Sequence, residues 1–207
     1  MVSNISSLVI DDLCDRPCEE DTAIAMFYCD FRDQQEQTTI NIVGAILRQL
    51  VVRGEVLEHV RKAFRGAKMQ VGGRGLRLPD MIQMLKQVVA ILPQVYICID
   101  ALDECLSEHL LELLVSLQDI LRESQRMRIF LTGRPQVKGE ITRHFTSCLA
   151  VPISPKMHDI KIYLERKLEM DIERGAMSDG LREDILRIIP EQVSEMFVGT
   201  SVVPLHA

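Results

Sequence analysis

Apolar residues recur along this chain in two alternating rhythms. Ile5, Leu8, Val9 and Leu13 fall at helical spacing. Asp15-Arg16-Pro17 closes that segment, because proline cannot continue a helix. Ala23-Ile24-Ala25-Met26-Phe27-Tyr28-Cys29-Asp30 is a short apolar run bounded by polar residues, which predicts a buried strand. Thr38 or Thr39 can cap the next helix, with Ile42, Val43, Ile46, Leu47 and Leu50 as its buried stripe. Glu55 to Met69 reads as a more polar helix and Gly72-Gly73-Arg74-Gly75 as a loop. Pro79 sits where proline favours a helix start, and Met81, Leu85, Val88, Val89 and Leu92 share one face of that helix. Pro93 ends it, and Val95-Tyr96-Ile97-Cys98-Ile99 is a second strand leading into Asp100. A helix from Ser107 to Arg122 carries Leu110, Leu111, Leu114, Leu117 and Leu121. Arg128-Ile129-Phe130-Leu131-Thr132 is a third strand, and Leu149-Ala150-Val151 a short fourth.

Strands that are apolar throughout and alternate with helices predict an α/β fold with a parallel sheet covered on both faces. After Pro155 the rhythm changes. Asp159 to Arg174 and Gly180 to Phe197 read as amphipathic helices without strands. The expected organisation is therefore a sheet core over residues 1–155 and a small helical region over 156–207.

Composition narrows the function. With 47% hydrophobic residues in 207, the chain can bury one core, and 26% charged residues do not mark a disordered one. A net charge of −6 argues against a basic nucleic-acid-binding face, and 4% aromatics without tryptophan provide no stacking platform for single strands. There is no apolar run long enough to span a membrane and no basic-then-apolar secretory leader. The expectation is a cytoplasmic protein without membrane or nucleic-acid partners. The six cysteines form no paired CxxC; Cys14 and Cys18 are closest, but no second Cys/His pair completes a zinc site. Reduced, mostly buried thiols are expected. The five histidines are scattered and take no role.

The chemistry concentrates in Ile99-Asp100-Ala101-Leu102-Asp103-Glu104-Cys105. Three carboxylates lie together at the carboxyl end of a buried strand, where open α/β sheets bind ligands. One can hold Mg²⁺, a hard cation that keeps several waters; another can orient or deprotonate an attacking water. The plainer alternative is that Asp100 ends a strand while Asp103 and Glu104 favour a helix start through its dipole. At the end of the next strand stand Thr132 and Arg134. This arginine can pair with a γ-phosphate or with Asp103 and Glu104, or simply be exposed before the Pro135 turn.

These segments together carry a resemblance. Ile99 through Cys105 resembles the extended Walker B motif of fungal NACHT domains, the STAND-class P-loop NTPases grouped as nephrocystin-3-like N-terminal domains. Leu131-Thr132-Gly133-Arg134-Pro135 resembles their sensor motif, usually Thr-Ser-Arg-Pro, with Gly133 in place of the serine. Phe27-Tyr28-Cys29-Asp30-Phe31 is similar to the strand after the P-loop helix, and Asn41 through Leu50 to the helix that follows. Asp159-Ile160-Lys161-Ile162-Tyr163 and Met196-Phe197 resemble the downstream helical region, so the likeness spans about residues 5–198. It implies that Asp100 holds Mg²⁺ through water, that Asp103 and Glu104 supply the hydrolytic carboxylate with Glu104 as base, and that Arg134, beside Thr132, senses the γ-phosphate of ATP or GTP.

One part of the family's site is missing. No Gly-x-x-x-x-Gly-Lys-Ser/Thr occurs in the sequence, and Gly72-Gly73-Arg74-Gly75 lacks both the following Lys-Ser/Thr and a preceding strand. Ser6-Ser7-Leu8-Val9-Ile10 resembles the helix that begins at that Lys-Ser/Thr, so the first strand and the loop are expected upstream of Met1. In this fold class that strand lies between the sensor strand and the last strand, and its loss would leave two unpaired edges inside the sheet. The segment Gly199 to Pro204 departs from the family pattern. The resemblance thus implies a partial P-loop NTPase, inactive alone and without bound nucleotide. Alternatives are a non-catalytic module that pairs with intact NACHT proteins, as a homo- or hetero-oligomer or decoy, and an incomplete copy with no function of its own.

Overall fold

The computed structural model describes residues 2–15, 22–53, 76–146, 148–153, 156–170, 178–196 and 199–204. The polar helix expected over 55–69, the glycine loop over 72–75 and Cys18 lie outside these residues. The elements are α1 (Val2–Asp15), β1 (Thr22–Tyr28), α2 (Thr39–Arg53), α3 (Leu78–Ile91), β2 (Gln94–Asp100), α4 (Ser107–Leu121), β3 (Met127–Gly133), α5 (Lys138–His144), β4 (Cys148–Ile153), α6 (Met157–Met170), α7 (Asp179–Met196) and β5 (Gly199–Pro204).

The fold is mixed α/β. β1, β2 and β3 are parallel neighbours, with Tyr28 opposite Asp100 and Ile99 opposite Leu131. Side chains alternate across a strand, so one run of residues feeds two faces. Ala23, Ala25, Val95, Ile97, Ile99, Met127, Ile129 and Leu131 enter the larger core beneath α2, α3 and α4. The intervening Ile24 and Cys98 face the other way and join Ile10 and Leu13 of α1, with Tyr96 and Phe130 against them. Both faces are thus covered, as continuous apolar strands require.

The stripe expected of α2 is correct: Ile42, Val43, Ile46, Leu47 and Leu50 are all fully buried. Thr38, rather than Thr39, caps it by accepting from the Asn41 amide, while Thr39 donates to the carbonyl of His109. In α4 the buried face is rotated from the expected one. Leu110, Leu113, Leu114, Leu117 and Ile120 are buried, whereas Leu111 is exposed. Steps of three and four residues from Leu110 define that stripe, and Leu111 starts the flank that Val115 continues into solvent. Lys86 of α3 ties the two helices together through Asp119 (2.9 Å) and Glu123 (3.1 Å) of α4 and the residues after it.

The sheet order is β1-β2-β3-β5-β4. β5 runs antiparallel to β3, pairing Val202, Ser201 and Thr200 with Leu131, Thr132 and Gly133. The expectation of two unpaired inner edges therefore fails: the place between β3 and β4 is filled by a strand from the end of the sequence. Its β-branched residues suit a strand, and pairing satisfies backbone groups that would otherwise cost about 1–3 kcal/mol each when buried.

Residues 1–151 and 200–207 form one compact unit and residues 152–199 a second. In the second, α6 packs on α7. Ile160 is buried and Pro190 lies inside α7. Among the described residues no helix is long and apolar enough to cross a membrane.

Candidate functional site at the carboxyl ends of β2 and β3

The parallel register brings the two chemical segments together. Because Ile99 lies opposite Leu131, Asp100 reaches the carboxyl end of β2 beside Thr132. Asp100 is almost fully buried (3% exposed), and so is Thr132. The Thr132 hydroxyl donates to Asp100 Oδ1 and accepts from the Ala101 amide at 3.0 Å. One side chain on β3 therefore fixes both the carboxylate and the backbone at the end of β2. The Asp100 carbonyl also accepts from the Cys29 amide at 3.0 Å, which extends the β1–β2 ladder past Tyr28.

Ala101 turns the chain sharply. Its φ of 56° and ψ of 48° lie in the left-handed region, among described residues the one non-glycine position there. That conformation costs an L-residue roughly 1–2 kcal/mol. The turn leads into a single 3-10 turn, Leu102–Glu104, closed by Glu104 N–H to Ala101 O (2.9 Å). Fully buried Leu102 anchors it in the core. The turn places Asp103 and Glu104 beside Arg134, which follows β3.

Arg134 clasps both acids. Its amide donates to Asp103 Oδ1 at 2.9 Å, its Nε lies 3.3 Å from Asp103 Oδ2, and a terminal nitrogen lies 3.3 Å from Glu104 Oε1. The Asp103 side chain is 5% exposed, whereas that of Arg134 is 63% exposed. Of the three options open in the sequence, this structure displays the arginine–acid pairing. Such a clasp is charge-assisted and directional. All five predicted residues, Asp100, Asp103, Glu104, Thr132 and Arg134, thus meet in one place.

Sequence reasoning missed several supporting residues. Gln34 Nε2 donates to the Glu104 carbonyl at 2.8 Å. Buried Gln37 accepts from the Asp30 amide (3.1 Å) and donates to the Asp30 carbonyl (2.7 Å), holding the chain just after β1. Cys29 and Cys105 bring their sulfurs to 3.2 Å although they lie 76 residues apart. The sulfur–sulfur hydrogen bond and burial push the Cys29 thiol well above its usual range, and the same bond lowers Cys105. None of the described cysteines Cys29, Cys98, Cys105 and Cys148 is in a disulfide. No local pattern signals the Gln34–Glu104 and Cys29–Cys105 contacts, because each joins segments distant in sequence.

Next to this site, Asp30 caps the 3-10 turn Phe31–Asp33 and pairs with Arg32 through both carboxylate oxygens. The Arg32 side chain and then its amide lower the Asp30 carboxyl from 3.8 to about 2. A depressed carboxyl stabilises the fold above its unfolded value and loses that contribution as pH falls through the folded one. We expect carboxyl-resolved NMR to place the Asp30 midpoint near 2, and Arg32→Ala to move it back toward 3.8. A midpoint near the ordinary value in the unaltered chain would show that the pair does not persist in solution.

Residues 3–134, more than half of the chain, match the family model for the nephrocystin 3 N-terminal domain. The chain belongs to that family. The matched stretch of this nephrocystin-3 N-terminal domain begins in α1 and ends on Arg134, so it contains every residue of the site just described. No curated protein and no solved structure matches the chain.

Proposed function

We propose that this nephrocystin-3 N-terminal domain carries the Mg²⁺- and γ-phosphate-facing half of a NACHT-type, STAND-class NTP site of the fungal kind, and that it works in nucleotide-dependent signal transduction. The observation that supports this most is the meeting of Asp100, Asp103, Glu104, Thr132 and Arg134 at the carboxyl ends of two adjacent parallel strands.

The donor set suits Mg²⁺ in a limited way. The candidate oxygens are hard carboxylates, but among the described residues no three His, Cys, Asp or Glu side chains are grouped to hold a metal. Asp100 could therefore supply one contact, direct or through water, with waters and phosphate oxygens completing the shell, which is how Mg²⁺ is usually held. Bound there, the ion would neutralise charge on the phosphates of ATP or GTP. Thr132 keeps the Asp100 carboxylate oriented. Glu104, at the mouth of the 3-10 turn, is the group to accept a proton from an attacking water, and Asp103 positions Arg134. Arg134 exchanges the acid pair for a γ-phosphate and so reports nucleotide state.

The phosphate-binding loop would have to come from outside these 207 residues, and assembly with intact NACHT proteins, as a homo- or hetero-oligomer, is one way to supply it. Free thiols suit a cytoplasmic setting. The 207-residue chain alone is expected to show no measurable ATP·Mg²⁺ binding in calorimetry. A chimera that is preceded by the first strand and Gly-x-x-x-x-Gly-Lys-Ser loop of a NACHT NTPase and stops before β5, whose place beside β3 that strand would take, is expected to bind and hydrolyse ATP. In that chimera Glu104→Gln should abolish hydrolysis while nucleotide stays bound. Hydrolysis unaffected by Glu104→Gln and Asp100→Ala would sink the assignment.

A further inference from the structure

We infer that Cys29 and Cys105 form a peroxide-sensitive dithiol site, whose oxidation staples the end of β1 to the acidic 3-10 turn. Neither residue has a role in the site chemistry above, and the inference stands whether or not that site handles nucleotides. The sulfurs are 3.2 Å apart, so closing to a disulfide length of about 2.05 Å requires about 1 Å of movement. Both segments that carry them are already held in register. Cys29 is fixed by its amide bond to the Asp100 carbonyl and by the Gln37 clasp on the next residue. Cys105 closes the 3-10 turn through its amide to Leu102 (3.2 Å), and Gln34 holds the preceding carbonyl. The pair is therefore presented by two fixed backbones and does not depend on a chance encounter.

The residues are 8% and 7% exposed, which excludes bulky disulfide reagents more than a small peroxide. The balanced step uses hydrogen peroxide as oxidant. A sulfur lone pair attacks one peroxide oxygen, the O–O bond breaks, and the departing hydroxide takes the thiol proton as water. The second sulfur then attacks the sulfenic sulfur; an S–S bond forms, the S–O bond breaks, and a second water leaves with the remaining thiol proton. Two thiols and one peroxide yield one disulfide and two waters, and a dithiol reductant reverses the result. The other described thiols lie elsewhere: Cys98 faces the α1 side of the sheet and Cys148 lies on β4.

The test treats the folded chain with hydrogen peroxide, blocks remaining thiols with an alkylating agent, and maps the digest by mass spectrometry. The expected result is one dominant cross-linked peptide pair containing Cys29 and Cys105, lost on dithiothreitol treatment and absent from Cys29→Ser. The same treatment in urea should give a mixture of pairings. Recovery of Cys29 and Cys105 as alkylated thiols from the peroxide-treated folded chain would overturn the inference. So would a native pairing mixture indistinguishable from that in urea. Thermal melting supplies a second readout on the unaltered sequence, with an expected rise of roughly 5–10 °C on oxidation, reversed by reductant. A fall in melting temperature on formation of this bridge would show that the native geometry does not accommodate it.

Discussion

Replacing Thr132 with valine should destabilise the domain by about 2–4 kcal/mol, although the side chain changes by one atom in shape. The hydroxyl has two partners, donating to Asp100 Oδ1 and accepting from the Ala101 amide. Its loss withdraws a donor from a carboxylate that is 3% exposed, and bonds to charged groups contribute about 1.5–3 kcal/mol. It also strands the amide of Ala101, the residue with left-handed backbone. Urea unfolding checks the expectation through a lowered midpoint with unchanged slope. Thr132→Ser keeps the hydroxyl and should lose less than about 1 kcal/mol. The double variant Asp100→Asn, Thr132→Val should be less damaged than the sum of the single changes, because the two groups serve each other. An unfolding midpoint for Thr132→Val equal to that of the unaltered chain would mean that the hydroxyl does not hold Asp100.

The same small network explains what could be read in the sequence and what could not. Asp100, Asp103 and Glu104 stand close together along the chain, and apolar runs mark the strands that deliver them. Parallel pairing of adjacent strands then brings Thr132 and Arg134 to them almost by necessity. The stripe of α2 was equally legible, since every fourth or third residue from Ile42 is apolar. In α4 both flanks of the stripe are leucine-rich, so periodicity could not choose between Leu111 and Leu113; packing against α2 and α3 chose. The strand β5 was missed for a different reason. Val202 and Val203 between Gly199 and Pro204 have strand composition, but what makes them a strand is the edge of β3, distant in sequence. Cys29 with Cys105, and Gln34 with Glu104, are of the same kind. They rest on tertiary register, which a local pattern does not encode.

Gly133 makes the second prediction, and it runs against the family resemblance. The sensor motif usually has serine there, so Gly133→Ser would appear to restore a consensus. The structure argues the opposite: a Cβ at this buried position would come within 2.6 Å of Val137 Cγ2. Val137 is itself 6% exposed and part of the main core, so it has little room to retreat. The demand is steric, and overpacking of this kind costs about 1–3 kcal/mol. Gly133→Ser and Gly133→Ala should therefore both lower the urea midpoint, with similar losses, because the clash lies at Cβ. Shrinking the wall with Val137→Ala should itself destabilise the protein, yet make the added serine nearly neutral on that background. The Cβ position is also 3.4 Å from Asp103 Oδ1, the atom that accepts from the Arg134 amide. A shift of β3 to relieve the clash would thus loosen the arginine–acid clasp as well. Gly133→Ser that is as stable as the unaltered chain, with Val137 present, would show that the backbone after β3 yields more easily than this packing implies.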